Sequence, residues 1–257
     1  MIHTIIRTLV PEKQRIALLM TGMRIRSLAY RGHGVTCNCC GRSFRKFWSY
    51  GNKPRDNALC PWCHSLERTR VLMAFLERET RVFEPGTLIL HFAPEAPILR
   101  RIKRSARRGD YVAADLNPAL GEAVIDMTHI PFPAQYFDYL LCSHVLGHIP
   151  NEARAIDEMY RVLKSGGQAL VMTVMDLNSP ITIEDPSVTT PGERLKHFGE
   201  PDLVRLHGRD FATRLQRSGI RVEEIDYRQH LSPGERERLS TGNGERELIF
   251  RCTKIKA

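Results

Sequence analysis

Residues 136–167 leave this chain few ways to fold. The run 139–142 is apolar, too short for a helix and suited to a buried strand. It ends in the polar pair Ser143 and His144. Asn151 then reads as a helix N-cap with Glu152 in the first turn, and Ala155, Ile156, Met159, Val162 and Leu163 recur at helical spacing. Gly166 and Gly167 read as the helix stop, and 169–174 as a second strand. Strand, helix and strand in that succession make a parallel crossover, whose ligands collect at the carboxyl ends of the strands. Ser143, His144 and His148 stand at that end.

The flanking sequence extends the same pattern. From Gly86, short strands alternate with helices: strands at 87–92, 111–114 and 123–125 precede the crossover, and strands at 220–225 and 248–252 follow a helix at 208–218. A basic helix follows the first strand and its exit loop, Ala93-Pro94-Glu95. The expectation is an α/β fold: a doubly wound, Rossmann-like sheet of seven mostly parallel strands over residues 86–257. Residues 178–207, polar and dense in Pro and Gly, read as a lid or substrate-recognition insertion. Within it Lys196, His197, Arg205 and His207 are either contacts for an anionic acceptor or surface residues.

Five of the seven cysteines fall between positions 37 and 63. Cys37-x-x-Cys40 and Cys60-x-x-Cys63, a ribbon's length apart, form a four-thiolate zinc signature, with Gly41 suited to the turn after the first pair. Four thiolates fill a tetrahedral site, so the expected zinc is structural. Cys39 is a surplus thiol and His64 a weaker competitor. The expected organisation is a helical segment at 1–34, a zinc ribbon at 35–64, a connecting helix at 65–85 and the α/β domain at 86–257. A helix over 12–30, with Ile16, Leu19, Met20, Met23 and Ile25 as its apolar positions, is expected to pack on the main domain; the alternative is a membrane or nucleic-acid surface.

Charge is unevenly spread. Residues 1–81 hold 15 Lys/Arg against 5 Asp/Glu, a balance of +10 within a net +9 for the whole chain. That permits a polyanionic partner without requiring one. Arg42, Phe44, Arg45, Lys46, Phe47, Trp48 and Tyr50 interleave as in a base-stacking surface, or else supply the ribbon's small core. No apolar stretch is long enough to span a bilayer. The N-terminal residues are interrupted by charge and lack a cleavage-site pattern, so a cytoplasmic location is expected, and in such a chain the cysteine cluster reads as metal ligation instead of disulfides.

Asp115 closes the second strand and Asp126 the third. With Phe137-Asp138, the Ser143-His144 strand end and the R-V-L-K-S-G-G run, they resemble the class I S-adenosylmethionine-dependent methyltransferases over residues 87–252. The whole chain also resembles a narrower group with an N-terminal four-cysteine zinc ribbon, through C-P-x-C-x-S-L-E-R, L-H-F-A-P-E, T-x-E-D-P and H-F-G-x-x-D. The resemblance implies that S-adenosylmethionine is the cofactor and that His91, Phe92, Ala93 and Glu95 form the loop beneath its methionine part. It further implies that Asp115 and Leu116 take ribose and adenine, that Asp126 and Met127 flank the adenine amino group, and that Ser143 and His144 lie near the sulfonium. Two positions depart from the pattern: no glycine-rich loop follows the first strand, and Gly147 stands where many relatives carry Glu.

Methyl transfer to a hydroxyl needs a base opposite the methyl donor. His144 is the candidate, with His197 beside it; His148 is expected to order the following helix. The leading expectation is a methyltransferase acting on an O or N atom of a small-molecule or saccharide acceptor. The alternatives are an RNA methyltransferase that uses the basic ribbon, and a zinc-ribbon nucleic-acid-binding module whose methyltransferase-like domain is inactive.

Overall fold

The structure is a computed structural model that describes residues 12–255, so the N-terminal stretch read for a targeting signal lies largely outside it. Helix α1 (Glu12–Ser27) leads through a single 3-10 turn into two antiparallel hairpins, β1 (Arg31–Cys37) with β2 (Arg42–Phe44), and β3 (Trp48–Tyr50) with β4 (Arg55–Leu59). Helix α2 (Glu67–Glu79) connects them to the α/β domain. That domain runs β5 (Ile89–Phe92), α3 (Ala96–Ser105), β6 (Tyr111–Ala114), β7 (Phe137–Ser143), α4 (Glu152–Val162) and β8 (Leu163–Met172). A small excursion follows, with β9 (Ile183–Glu184), α5 (Pro191–Phe198) and β10 (Arg205–Leu206). The chain closes with α6 (Phe211–Leu215), β11 (Ile220–Ile225), α7 (Pro233–Leu239) and β12 (Ile249–Lys254).

The central sheet has the order β11-β12-β8-β7-β5-β6. Strands β6, β5, β7 and β8 are mutually parallel, and β12 is antiparallel to both its neighbours. Period-2 alternation explains why it is covered on both faces. Leu90, Phe92, Leu140, Cys142, Ala169 and Val171 point to one core, with Ala155, Ile156 and Met159 of α4. Ile89, Leu141, Leu170 and Met172 point to the other, with Val71, Leu72 and Phe75 of α2 and Ile98 and Ile102 of α3. From β5 the chain steps to β6 on one side, then returns to β7 on the other. The carboxyl ends of β5 and β7 therefore flank a topological switch point, where open α/β sheets bind ligands.

The expected doubly wound sheet is present with six strands instead of seven. Residues 123–125 contribute only a single parallel bridge, Ala114 to Ala123. The glycine pair is also corrected: α4 ends at Val162, and Gly166 and Gly167 lie inside β8. Gly166 has a φ of +81°, and a Cβ on Gly167 would come within 3.1 Å of the Asp138 and Phe137 carbonyls. These glycines serve an irregularity in β8 pairing, not a helix cap. The helix expected at 208–218 is the shorter α6. Of the described apolar side chains of α1, Leu18, Leu19 and Ile25 are exposed and Met20 and Met23 half-buried.

Arg70 joins ribbon to sheet. Its side chain is fully buried. Nη1 donates to the carbonyls of Ala58 and Ser65, at 2.9 and 2.8 Å, and Nη2 to those of Asn57 and Ser240, at 3.4 and 2.7 Å. Nε donates to Leu239 at 2.6 Å. The Phe47 ring covers the guanidinium at 4.4 Å. A buried guanidinium is tolerated only when its donors are engaged, and these carbonyls come from both the ribbon and the α7 end. Replacing Arg70 with Met keeps the stem and strands those carbonyls. We expect a loss of about 3 kcal/mol or more in denaturant unfolding; a change below about 1 kcal/mol would mean that water replaces the guanidinium without penalty.

Candidate functional site

Two adjacent strand ends carry left-handed backbone at residues other than glycine. Ala93, after β5, has a φ of +43°, and His144, after β7, has a φ of +57°. Such conformations cost free energy and concentrate at functional sites. Ala93 thus adopts, at a cost, the kind of backbone that a glycine-rich loop would adopt freely. His144 is fixed by its backbone N–H, which donates to the Met172 carbonyl at 2.8 Å.

Beneath this loop lies a buried relay. His91 is fully buried; its Nε2 donates to Glu95 Oε2 at 3.2 Å, which leaves Nδ1 to accept from the Tyr111 hydroxyl at 3.0 Å. Burial works to raise the Glu95 carboxyl, but the His91 bond and the Arg68 charge outweigh it and hold the group below its ordinary value. Glu95 is therefore an anion whose second oxygen, Oε1, is enclosed without a hydrogen-bond partner. Ser143 lies near enough to help hold that charge, but outside hydrogen-bond geometry, so its Oγ is also enclosed without a partner.

Two clefts lie at these strand ends, one at the Ala93 loop and one at His144. The smaller, about 360 Å³, is bounded by Ala93, Pro94, Leu99, Asp115 and Leu120. The Asn117 N–H donates to Asp115 Oδ1 at 2.8 Å. Gly121 packs so closely here that a Cβ would sit 2.6 Å from the Asp115 nitrogen, so glycine is required to let Asp115 take this place. Leu116 beside it is 69% exposed, an unused apolar surface. The larger cleft, about 1150 Å³, has His144, His148, Arg68, His197, Lys196 and Arg246 among its walls. Residues 50–53 of the second ribbon hairpin form its far side, and Asn52 Nδ2 donates to the Gly199 carbonyl at 3.2 Å across the opening.

His144 brings an acid–base group to this cleft. Burial, then the charges on Arg68, Arg246 and His148, push its imidazole well below the usual 6.5. It is neutral at pH 7, and its Nε2 is enclosed without a partner. His197 is exposed on α5 and faces the same cleft. His148, expected to order the next helix, also lines the cleft, with Nδ1 3.5 Å from Asp202. Of the other predicted residues, Phe92 and Met127 are core residues and Asp126 is exposed, its Oδ1 accepting from the Thr128 N–H and hydroxyl.

Arg205 and His207 are neither surface groups nor cleft groups. Arg205 donates to the carbonyls of Leu146, Ile149 and Pro150, while His207 is bonded to Thr173 and Glu152. They bolt the 178–207 segment to the sheet. Gly147 takes part as well: the Val204 N–H donates to its carbonyl at 2.9 Å, and a Cβ there would lie 2.7 Å from Leu203 Cδ2. A larger residue at this position would require the Leu203 side chain to shift. Sequence reading passed over Arg68 and Arg246 as cleft residues. The signal for Arg68 in the sequence is a second arginine two residues before Arg70, ahead of the apolar run at 71–76.

In the ribbon, Cys37, Cys40, Cys60 and Cys63 bring their sulfurs within 4.8 Å of one another. The Cys37–Cys63 and Cys40–Cys60 separations are 3.5 and 3.9 Å, near the edge of about 3.8 Å expected of a tetrahedron of sulfurs 2.3 Å from zinc. The Gly41 and His64 N–H groups close the two knuckles onto the Cys37 and Cys60 carbonyls. Ser65 Oγ lies 3.1 Å from the Cys37 sulfur, as an outer-shell donor to a thiolate would. Cys39 is outside the set. Phe44 and Phe47 are buried in the ribbon core, and Trp62 is covered by Arg42 at 3.6 Å.

Residues 95–171 match the family described as a methyltransferase domain. The chain is 31% identical over 129 residues to the ubiquinone/menaquinone biosynthesis C-methyltransferase UbiE of Bordetella parapertussis, covering 44% of this chain and 50% of that protein. It is 29% identical over 116 residues to the UbiE of Hydrogenovibrio crunogenus, covering 38% and 46%. The chain thus spans about half the length of these curated relatives. A chain from a complex of the Haloferax volcanii Trm112 methyltransferase activator with a methyltransferase superposes with a TM-score of 0.51 at 13% identity, covering 74% of this chain and 91% of that one. The fold is therefore that of the class I methyltransferases.

The depressed His144 value has a testable sign. Unfolded chain takes up a proton near pH 6.5 that the folded chain refuses, so stability falls as pH drops below that value and levels off below the folded value. The unfolding free energy of wild type should decline relative to His144→Asn between pH 7 and 5, by up to about 1.4 kcal/mol per pH unit. Parallel curves would show that His144 titrates normally.

Proposed function

We propose that this chain, with a methyltransferase domain set in the class I fold, is an S-adenosylmethionine-dependent methyltransferase acting on an O or N atom of a polar small molecule or saccharide. Three enclosed polar atoms support the reading most directly: Glu95 Oε1, Ser143 Oγ and His144 Nε2, all without partners, on neighbouring strand ends at the switch point. Folded proteins leave few such atoms unpaired, and a group of them marks a place for a ligand.

S-adenosylmethionine supplies an electrophilic methyl group on a sulfonium. Toward it, Asp115 offers a carboxylate for the ribose hydroxyls, Leu116 an apolar face for adenine, and the loop from Ala93 to Glu95 a seat for the amino-acid end. Asp126, which is exposed, offers a polar group on the adenine side, while the buried Met127 side chain serves the core beside it. His144, neutral and with a free Nε2, takes the proton from an acceptor hydroxyl, and His197 faces the acceptor from α5. Residues 178–207 roof the cleft as a recognition segment. The charged walls, with Lys53, Asp176, Lys196 and Glu200, support a polar acceptor. Burial of Phe44 and Phe47 removes much of the base-stacking surface an RNA acceptor would use.

The sulfur arrangement supports a structural zinc ion held by Cys37, Cys40, Cys60 and Cys63, with no open position for substrate. Elemental analysis should find one zinc per chain. Cys60→Ser with Cys63→Ser should abolish it and loosen the ribbon, seen as new protease sensitivity within residues 31–64. Full zinc content in that variant would contradict the assignment.

For activity, S-adenosylhomocysteine should give a calorimetric isotherm with wild type that weakens at least about tenfold in Asp115→Ala, equal to about 1.4 kcal/mol. No heat from either protein would end the enzyme reading.

A further inference from the structure

Two arginines of α2, two positions apart, have opposite surroundings. Every nitrogen of Arg70 donates to a carbonyl. Arg68 lines the larger cleft, its Nε is enclosed without a hydrogen-bond partner, and no carboxylate among the described residues lies within ion-pair distance of it. The nearest claims on it are indirect. Glu67 is engaged by Arg55 and Glu200 by Arg246 at 3.7 Å, while Glu95 is bonded to His91 through Oε2 alone and its charge acts on Arg68 from beyond ion-pair distance. Burial lowers its pKa, with Glu95 the largest charge opposing that effect. A guanidinium that lines a cleft with its Nε enclosed and unpaired is suited to a site that receives an anion.

Its neighbours fit the same use. Arg246 and Lys53 add positive charge to the cleft, and neutral His144 stands on the floor beside Arg68. A planar guanidinium matches the paired oxygens of a carboxylate or phosphate. We infer that Arg68 is the receptor for an oxyanion in the reaction cleft, a carboxylate or phosphate that fixes a reactant against His144. This rests on the methyltransferase reading. The oxyanion has two sources: an acidic group on the acceptor, or the carboxylate on the amino-acid end of the cofactor. The place of Arg68 in the larger cleft, away from Asp115, favours the acceptor.

The test titrates wild type, Arg68→Gln and Arg68→Lys with three probes: S-adenosylhomocysteine, 5′-methylthioadenosine (which lacks the amino-acid carboxylate) and inorganic pyrophosphate. If the acceptor is the source, Arg68→Gln weakens pyrophosphate at least about tenfold, Arg68→Lys recovers part of it, and both nucleosides bind as before. If the cofactor is the source, S-adenosylhomocysteine weakens and 5′-methylthioadenosine does not. An unchanged affinity for all three probes overturns the inference. So does an equal loss for both nucleosides, which would mark a general collapse of the site. A wild type that binds pyrophosphate through Arg68 but neither nucleoside would instead overturn the methyltransferase reading and leave the oxyanion site standing.

Discussion

The Arg70 guanidinium is the contact on which the arrangement of this molecule turns. The ribbon has a core of only a few side chains around its four cysteines. Such a unit has little means of holding a fixed position against a larger domain. One buried cation, whose donors are shared between ribbon carbonyls and those of Leu239 and Ser240, supplies that position. Because hydrogen bonds of a planar group are directional, the junction fixes orientation as well as contact. The hairpin at residues 50–55 is consequently a wall of the larger cleft and not a free appendage.

The same physics, applied in reverse, marks the site. Around Arg70, Arg205 and His207 the hydrogen-bonding capacity of buried groups is met. At the ends of β5 and β7 it is not: Glu95, Ser143 and His144 hold enclosed polar atoms in reserve, as does Arg68 of α2 on the cleft wall. The strained backbone at Ala93 and His144 falls at the same two strand ends. Strain and unmet polarity coincide where the sheet topology alone would put a ligand.

Much of this was legible in the sequence. The apolar runs fixed the strands because a sheet covered on both faces demands them, and β6 and β11 fall at their expected positions. The two C-x-x-C pairs specified their site because each closes its own turn. What failed had a tertiary cause. Gly166 and Gly167 looked like a helix stop, yet their role depends on the Asp138 and Phe137 carbonyls of a neighbouring strand. Residues 123–125 have strand-like composition but lie beyond the edge of β6, where one bridge forms. Arg205 and His207 resembled ligand-binding groups because a sequence does not reveal that their partners are backbone carbonyls, Thr173 and Glu152. Arg68 and Arg70 are the same residue type on one helix, and only three-dimensional contacts separate an anchor from a receptor.

The excursion at 178–207 has a small apolar centre of its own, Val188, Phe198 and Leu203, separate from the cores on either face of the sheet. The ribbon likewise keeps its own core. The larger cleft is therefore enclosed by three parts, each with apolar packing of its own and two of them tied to the sheet through Arg70, Arg205 and His207, while His144 belongs to just one of them. Exposed cleft residues on the other two, such as Lys53, Lys196 and His197, can vary in a lineage with little penalty to folding. Such a scaffold separates two demands: the walls can change charge and shape without disturbing the floor at Glu95, Ser143 and His144.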